Sequence, residues 1–521
     1  MVDLKDTKAL DLEFRQVWRN FEQYHNDMIF YLDAYQNNLF YPPKDYQPYK
    51  KKIGVNFLQV FADKMCDYMT PFPKITVPAV PEDKQGASLR EKVLIGEWQQ
   101  NDGEQLWARG IQDAVLMSVL VTSTEWDFDN KCNVIKRIDP RRAMWQKADA
   151  MSDKISATWY YEPMTKEAIY DKYKVTPNST ALTIDLIADL DSVILDGHDY
   201  FLVVTRADDK TFVKWVGDKF LVAGHNHKLG ASPIDISFPL EIPSYNKRGD
   251  FYLRRLSALQ AEFNELWRQR ANVVRKLGNP TVWGRNIKQR QFQPVKDAMA
   301  LDGGFVGLSE TGELGILSLP ETKMIDNAIA DTFTRMKEVA GFPTITFGEA
   351  IGANTSGGAL SFYFQPTARM IAKMNVALKV HIQTINTKIL RNYDNFLAAG
   401  EQKELYTSVT GGYYPTDRGT DPDSERSLTF TKDDIDGDYN NKIDMTPVAP
   451  RDEVAYARLF FDAAREKMIS RTTLYDKLGL ESPEDELAML KEEQLEPALN
   501  PQGTSQILGA QADAQTALMG Q

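Results

Sequence analysis

The chain has 521 residues, 43% hydrophobic and 26% charged, an ordinary globular composition with length for about three domains around a sizeable core. Its 61 Lys and Arg against 73 Asp and Glu leave a net charge of −12, which excludes a protein that coats nucleic acid by bulk positive charge. Two cysteines, Cys66 and Cys132, exclude a disulfide framework and fit a reducing compartment, and no apolar run reaches the ~18 residues of a membrane span. The charged opening Met1–Asp6 lacks the apolar stretch of a secretory signal, so a soluble, non-secreted protein is expected.

In chain order, Leu10, Leu12, Phe14, Val17, Trp18, Phe21 and Tyr24 recur at helical spacing and predict a first helix within the opening forty residues. A second helix is expected over about Asn56–Met69, after which Pro71, Pro73 and Pro78 force extended chain. Two more helices follow, about Ala87–Gln100 and Glu104–Val121. The texture then changes to short β-like runs: Thr124–Phe128, Val134–Ile138, Ile155–Tyr161, Tyr200–Thr205, Thr211–Trp215 and Lys219–Val222, with a helical interlude at about Thr165–Tyr173.

The centre is more distinctive. Asp250 can cap a helix that runs to Leu277, where Gly278-Asn279-Pro280 stops it, a length of roughly 40 Å at ~1.5 Å per residue. A glycine-rich insert, Thr281–Pro320, has strand-like ends and room for a short helix at Pro294–Leu301. A second helix, about Lys323–Ala340, ends at Gly341-Phe342-Pro343. A glycine-rich loop, Phe342–Gly358, leads into a long helix with Pro366 inside it, where a kink is expected. Residues 421–444 are acidic loop and strand. Short helices are expected at about Asp452–Met468 and Arg471–Leu478, with a third after Ser482, before a disordered Gln/Ala/Gly-rich tail from Pro497.

Motifs that carry chemistry are incomplete. Gly352–Ala359 has two glycines at phosphate-loop separation, but Gly358 and Ala359 stand where such a loop needs Lys and Ser/Thr, which disfavours ATP hydrolysis. His225-Asn226-His227 lacks a third ligand cluster and reads as a turn. Asp434–Asp438 resembles the centre of a calcium loop, yet Lys432 and Ile443 occupy the two positions that need acidic ligands, leaving an acidic turn. No nucleophile elbow, dinucleotide fingerprint or Cys-x-x-Cys occurs, so no catalytic residue, metal or cofactor is expected.

Charge is unevenly placed. Phe251–Arg290 holds nine basic residues, Arg254, Arg255, Arg268, Arg270, Arg275, Lys276, Arg285, Lys288 and Arg290, against Glu262 and Glu265, a net of +7. Pro366–Asn392 holds Arg369, Lys373, Lys379, Lys388 and Arg391 with no acid, a net of +5. The rest of the chain therefore carries −24. Such segments serve as solvated faces, as partners for acidic neighbouring surfaces, or as contacts to a polyanion.

The order of these elements resembles the core of tailed-bacteriophage portal (head–tail connector) proteins. The residues that carry the resemblance are Asp250–Leu256 through Asn279-Pro280, then Ala340–Pro343, and Ser356–Leu360 before the long helix, flanked by Val55-Asn56 and Ile138-Asp139-Pro140. The resemblance implies an α+β portal fold. Residues 1–250 would form a mixed α/β wing, 251–277 the first stem helix, 278–322 a small α/β clip and 323–341 the second stem helix. Residues 342–358 would be the tunnel loop, 359–449 the long kinked helix with the rest of the wing, 450–496 a helical crown and 497–521 the tail. It further implies a dodecameric homo-oligomeric ring at one capsid vertex of the virion, assembled in the host cytoplasm. Double-stranded DNA would pass through it in packaging and ejection. Its partners would be the terminase large subunit, head–tail adaptor and tail proteins, and the capsid and scaffolding proteins, with no membrane and no catalytic site of its own.

On this view Thr344, Thr346, Asn354, Thr355 and Ser356 of the tunnel loop meet DNA, and Arg268, Arg275, Lys276, Arg285, Lys288 and Arg290 are the basic candidates of stem and clip. A DNA-packaging or DNA-processing enzyme, an ATPase or nuclease, is the alternative, disfavoured by the missing nucleotide loop. A non-viral helical scaffold is a third reading.

Overall fold

The computed structural model describes residues 4–36, 54–78, 83–148, 154–177, 200–242, 248–278, 282–286, 293, 311, 313–316, 322–347, 357–408, 425–435 and 437–445. The chain divides into two compact units. The first comprises Met1–Ala350, Pro366–Leu405 and Leu428–Val448, and the second Ile351–Gln365, Tyr406–Ser427 and Ala449–Gln521. Nearly all described residues belong to the first unit, which mixes helices with antiparallel sheets.

Helix α1, Thr7–Tyr35, is capped by the Asp6 carboxylate accepting from the Lys8 amide at 3.0 Å. Its buried side, Leu10, Phe14, Val17, Phe21, Tyr24, Met28 and Tyr31, follows 3–4 spacing and packs on strands. Phe14 meets Tyr161 edge-on at 6.1 Å, and Phe21 meets Trp145 at 4.6 Å. Helix α2, Phe57–Met69, begins at Asn56, whose side chain accepts from the Gln59 amide at 3.4 Å. The same side chain donates to the Ala34 and Tyr35 carbonyls at 3.2 and 2.6 Å, so one residue starts α2 and ties down the end of α1.

Helices α3, Lys84–Gln100, and α4, Gly103–Leu116, follow. The helix expected to reach Val121 stops at Leu116. Ser118 takes a left-handed φ of 64°, and the β-branched run Val119, Val121, Thr122 and Thr124 then enters strand β2, Leu120–Asp127. The break is fixed from outside: the Ser118 hydroxyl donates to the Asp250 carbonyl, and Gly249 lies so close that a Cβ there would stand 2.1 Å from the Ser118 oxygen.

Strand β2 is the middle of a three-stranded antiparallel sheet with β3, Cys132–Arg137, and β9, Ile234–Ser237. A five-stranded antiparallel meander takes β4, Ala143–Lys147; β5, Ile155–Thr165; β6, Tyr200–Asp208; β7, Thr211–Val216; and β8, Lys219–Asn226, in that order. Helix α5, Lys166–Tyr173, is capped by the Thr165 hydroxyl and covers a small satellite core of Ile169, Val203 and Val216. Strands β10, Glu241–Ile242, and β11, Arg248–Gly249, pair before the central helices.

Helix α6 spans Arg254–Gly278. Asp250 is not its cap: one turn intervenes, with the Arg254 amide donating to the Phe251 carbonyl at 3.0 Å, and the Asp250 carboxylate accepts instead from Arg255 at 2.9 Å. Strands β12, Val282–Arg285, and β13, Glu313–Ile316, pair antiparallel, with Val282 opposite Ile316 and Arg285 opposite Glu313, so the two ends of the insert lie side by side. The short helix expected at Pro294–Leu301 lies outside the described residues. Helix α7, Lys323–Ala340, closes on Gly341, whose φ of 76° is the left-handed conformation that favours glycine, with the Phe342 amide reaching back to the Lys337 carbonyl at 3.0 Å.

Helix α8, Gly357–Phe396, runs on through Pro366. Its 371, 374, 378, 382, 385 and 389 positions are buried, as the spacing predicts. Strands β14, Lys403–Ser408, and β15, Glu425–Phe430, pair, and β16, Lys442–Asp444, pairs with β1, Lys74–Thr76. The expected crown and tail lie outside the described residues.

Candidate functional site

Two parts of the first unit bear on function: the pair α6 and α7 with the segment that leaves α7, and the helix α8. Helices α6 and α7 pack on one another through Phe263 and Phe333, 6.1 Å apart, and Phe57 of α2 joins them at 5.1 and 4.7 Å. Arg270 of α6 forms an ion pair with Asp326 of α7 and lies over the Trp267 ring at 5.4 Å. The approach of α2 is set by two buried amides of α6. Gln260 accepts from the Phe57 amide at 3.0 Å and donates to the Val55 carbonyl at 2.5 Å, and Asn264 accepts from the Val55 amide at 2.9 Å. All three groups are backbone donors and acceptors that the N-terminus of α2 cannot satisfy internally.

Past Gly341 the chain does not leave directly. Phe342 is buried, stacked on Phe61 at 6.2 Å and Tyr68 at 6.1 Å, and Phe347 packs on Phe61 at 5.5 Å and on Phe333 at 6.0 Å. Between them lies a short 3-10 turn, Thr344–Phe347. Thr346 is held at three atoms. Its hydroxyl and amide donate to the Pro343 carbonyl at 2.6 and 3.0 Å, and its carbonyl accepts from the Lys64 ammonium at 2.7 Å. Lys64 lies over the Phe347 ring at 5.1 Å. Of the polar residues expected to meet DNA, Thr346 thus has its hydroxyl engaged within its own turn, Thr344 sits in the same turn, and Asn354, Thr355 and Ser356 lie outside the described residues.

The basic candidates are not alike. Arg268 is 14% exposed and pairs with Glu265 at 2.8 Å, Arg275 is half-buried, and Lys276 sits in the last turns of α6. Arg285 is exposed on β12. Lys288 and Arg290 lie outside the described residues.

Helix α8 holds what the sequence concealed. Its buried side carries a series of polar groups bonded to several other elements. Asn375 donates to the Met445 carbonyl at 3.3 Å, and His381 bridges the Thr122 and Ser237 hydroxyls at 2.9 Å each. The Trp98 indole donates to Asn386 at 2.8 Å, Lys388 pairs with Asp235 at 2.7 Å, and Asn392 donates to Asn133 at 2.7 Å. Arg391 donates to the Leu229 carbonyl and lies over the Tyr439 ring, and Tyr393 donates to the Glu97 carboxyl. Burial lowers the His381 imidazole to about 3, and burial likewise lowers His25 of α1 to about 4 against the raising effect of its bond to the Ala143 carbonyl. A helical stripe containing Asn375, Asn386 and Asn392 is the signal that sequence reading could have used: amides at core positions need partners.

Only part of the +5 charge of this segment is therefore at the surface. Lys388 is buried and neutralised, Arg391 is engaged, and the exposed ridge retains Arg369 and Lys373 beside Val376 and Val380, which are 65% and 56% exposed.

The other motifs resolve into structure. His225 lies at the end of strand β8 rather than in a turn, against Phe212, and His227 bonds to the Asp208 carbonyl at 2.9 Å. Asp434 caps its own turn through Thr431, and Asp438 accepts from Arg90 at 3.0 Å. No cluster of three His, Cys, Asp or Glu residues suited to a metal occurs among the described residues, and no described helix is long and apolar enough to cross a membrane. No protein-family model matches the chain, and no curated protein matches it.

Proposed function

We propose that this chain is a portal protein: the subunit of a dodecameric ring at one capsid vertex, through which double-stranded DNA is packaged and ejected. The observation that carries the reading is the arrangement α6–β12–β13–α7. Two long helices pack together, the ends of the insert between them are held side by side by a strand pair, and a glycine closes the second helix before a polar loop. On this reading α6 and α7 are the stem, the insert is the clip, and residues 342–358 line the narrowest part of the channel. The terminase large subunit docks during packaging and head–tail adaptor proteins afterwards, with capsid and scaffolding proteins around the rim. The subunit has no catalytic site, and the site of action is the virion.

Charge supports a conduit. Each neutralised phosphate adds salt-sensitive affinity, so a channel that must let DNA slide cannot carry many free cations. A chain that is acidic as a whole repels DNA on average and meets that requirement.

Two experiments test the reading. Negative-stain images of the purified chain, at concentrations that drive assembly, should show rings with a central hole, and irregular particles throughout would count against it. Deleting residues 348–356, which keeps the Lys64–Thr346 anchor, should leave rings intact and abolish DNA packaging. Normal packaging after that deletion would remove the tunnel-loop assignment.

A further inference from the structure

Glu97, near the C-terminal end of α3, is fully buried, yet it forms no ion pair among the described residues. Three elements enclose it. From α8 the Tyr393 hydroxyl donates to Oε1, while Oε2 has no hydrogen-bond partner. From β3 come the Asn133 amide and the Cys132 thiol, and from β14 the basic group acting on it is Lys403. Lys403 forms no ion pair with Glu97; its ammonium donates to the Asn130 carbonyl at 3.0 Å.

The surrounding frame is rigid. Asn101, one turn on, donates to the Glu97 carbonyl at 2.8 Å and to the Asn133 carbonyl at 3.0 Å, and it accepts from the Ile135 amide at 2.8 Å. Neighbouring Trp98 is bonded to Asn386 of α8. The carboxyl therefore cannot swing out to water without parting α3 from β3 and α8.

A carboxylate enclosed in this way, with one hydroxyl donor and no paired cation, is strongly disfavoured against the neutral acid, because burying a charge costs far more than burying a neutral polar group. We propose that Glu97 is held as the neutral acid in the native protein on the acid side of neutrality and works as a proton-operated latch joining α3 to α8. Burial pushes its carboxyl up to about 7, against the lowering effects of Tyr393, Asn133 and Lys403. The same desolvation, together with the facing carboxyl, raises the Tyr393 hydroxyl, so the tyrosine remains a donor throughout the range in which Glu97 titrates.

The sign of the effect follows from linkage. The folded chain holds this proton more tightly than the unfolded one, so the latch contributes fully below the unfolded value of 4.5. Its contribution falls as pH rises towards about 7 and is lost above it. Among the other buried groups, His25 and His381 titrate at lower pH. Asp113 also lies near 7 but is engaged by Arg137, and it is common to the wild type and a Glu97 variant.

The test is the thermal midpoint of the full chain and of Glu97→Gln, whose amide has no proton to lose, between pH 5 and pH 9. The wild type should lose on the order of 3 °C relative to the variant across that range. Parallel curves would overturn the latch. Infrared spectra decide the matter where Glu97→Gln does not fold. The wild type labelled with 13C-glutamate should show a protonated-carboxyl C=O band at pH 6 that shifts on labelling and fades by pH 9. Its midpoint should rise in Tyr393→Phe, which removes a donor to the ionised form. No such band, or a midpoint indifferent to Tyr393, would overturn the proposal.

Discussion

Helices α6 and α8 are both long and both basic, yet they use their charges in opposite ways. On α6 the charges stay near water: Arg270 and Asp326 are 38% and 40% exposed, and Glu265 is half exposed where it meets Arg268. On α8 Lys388, His381 and the amides turn inward and fix the helix against several elements, while Arg369 and Lys373 stay exposed. Lys388 and Asp235 are 1% and 10% exposed. The difference shows that a count of basic residues along a sequence reports neither surface potential nor nucleic-acid affinity. It also separates two jobs. Inward polar groups set which turn of α8 meets which strand, whereas outward ones remain available to solvent or to a partner.

The contrast can be broken most sharply at Lys388. Replacing it with Met leaves Asp235 buried and unpaired and should lower stability by about 4 kcal/mol, whereas Lys388→Met with Asp235→Leu should recover most of that loss in the same urea titration. Equal damage in the single and double variants would mean that the pair is not a closed unit.

A second measurement asks how much of the interior is held by neutral histidines. His25 and His381 have folded values below the unfolded 6.5, so the stability they lend is complete above that pH and is lost as pH falls towards about 4 and about 3. Between pH 7 and pH 4 the loss attributable to His25 should be roughly 3 kcal/mol. His25→Gln should flatten that part of the curve, and an unchanged acid limb would remove His25 from the account.

The smallest effect belongs to α6. Asp326→Asn should change stability by less than about 1 kcal/mol, because a pair this exposed is screened, and the change should shrink further in high salt. A loss as large as that at Lys388 would erase the distinction between the two helices.

Local order was readable in the sequence where one residue sufficed to set it. Asn56 marks the start of α2, Gly341 the end of α7, and Thr165 the start of α5. The five strand runs after Val134 were legible from alternation, although several extend two to four residues further, as β6 does to Asp208. Strand β4, Ala143–Lys147, was not legible, because Ala, Met, Gln and Lys carry little strand preference and its place is made by the packing of Trp145 beneath α1. The break after Leu116 was missed because the apolar run Ala114–Val121 has no period, and only Asp250 and Gly249, more than a hundred residues away, decide where it turns. The same holds for the polar side of α8. Its polar residues are visible in the sequence, but their partners come from six separate stretches of chain, which spacing cannot supply.

The two amides with which α6 receives α2 have a mechanical consequence. They grip the main chain at residues 55 and 57 rather than any side chain, so the joint tolerates replacement of Val55 but not its displacement. Lys64, two turns along the same helix, grips the main chain again at Thr346. Tension applied to the segment beyond Phe347 is thus borne by backbone bonds in series, from Thr346 through Lys64 to α2 and from its first residues to Gln260 and Asn264. Part of any load reaches α6 by a route parallel to the covalent chain through Gly341 and α7.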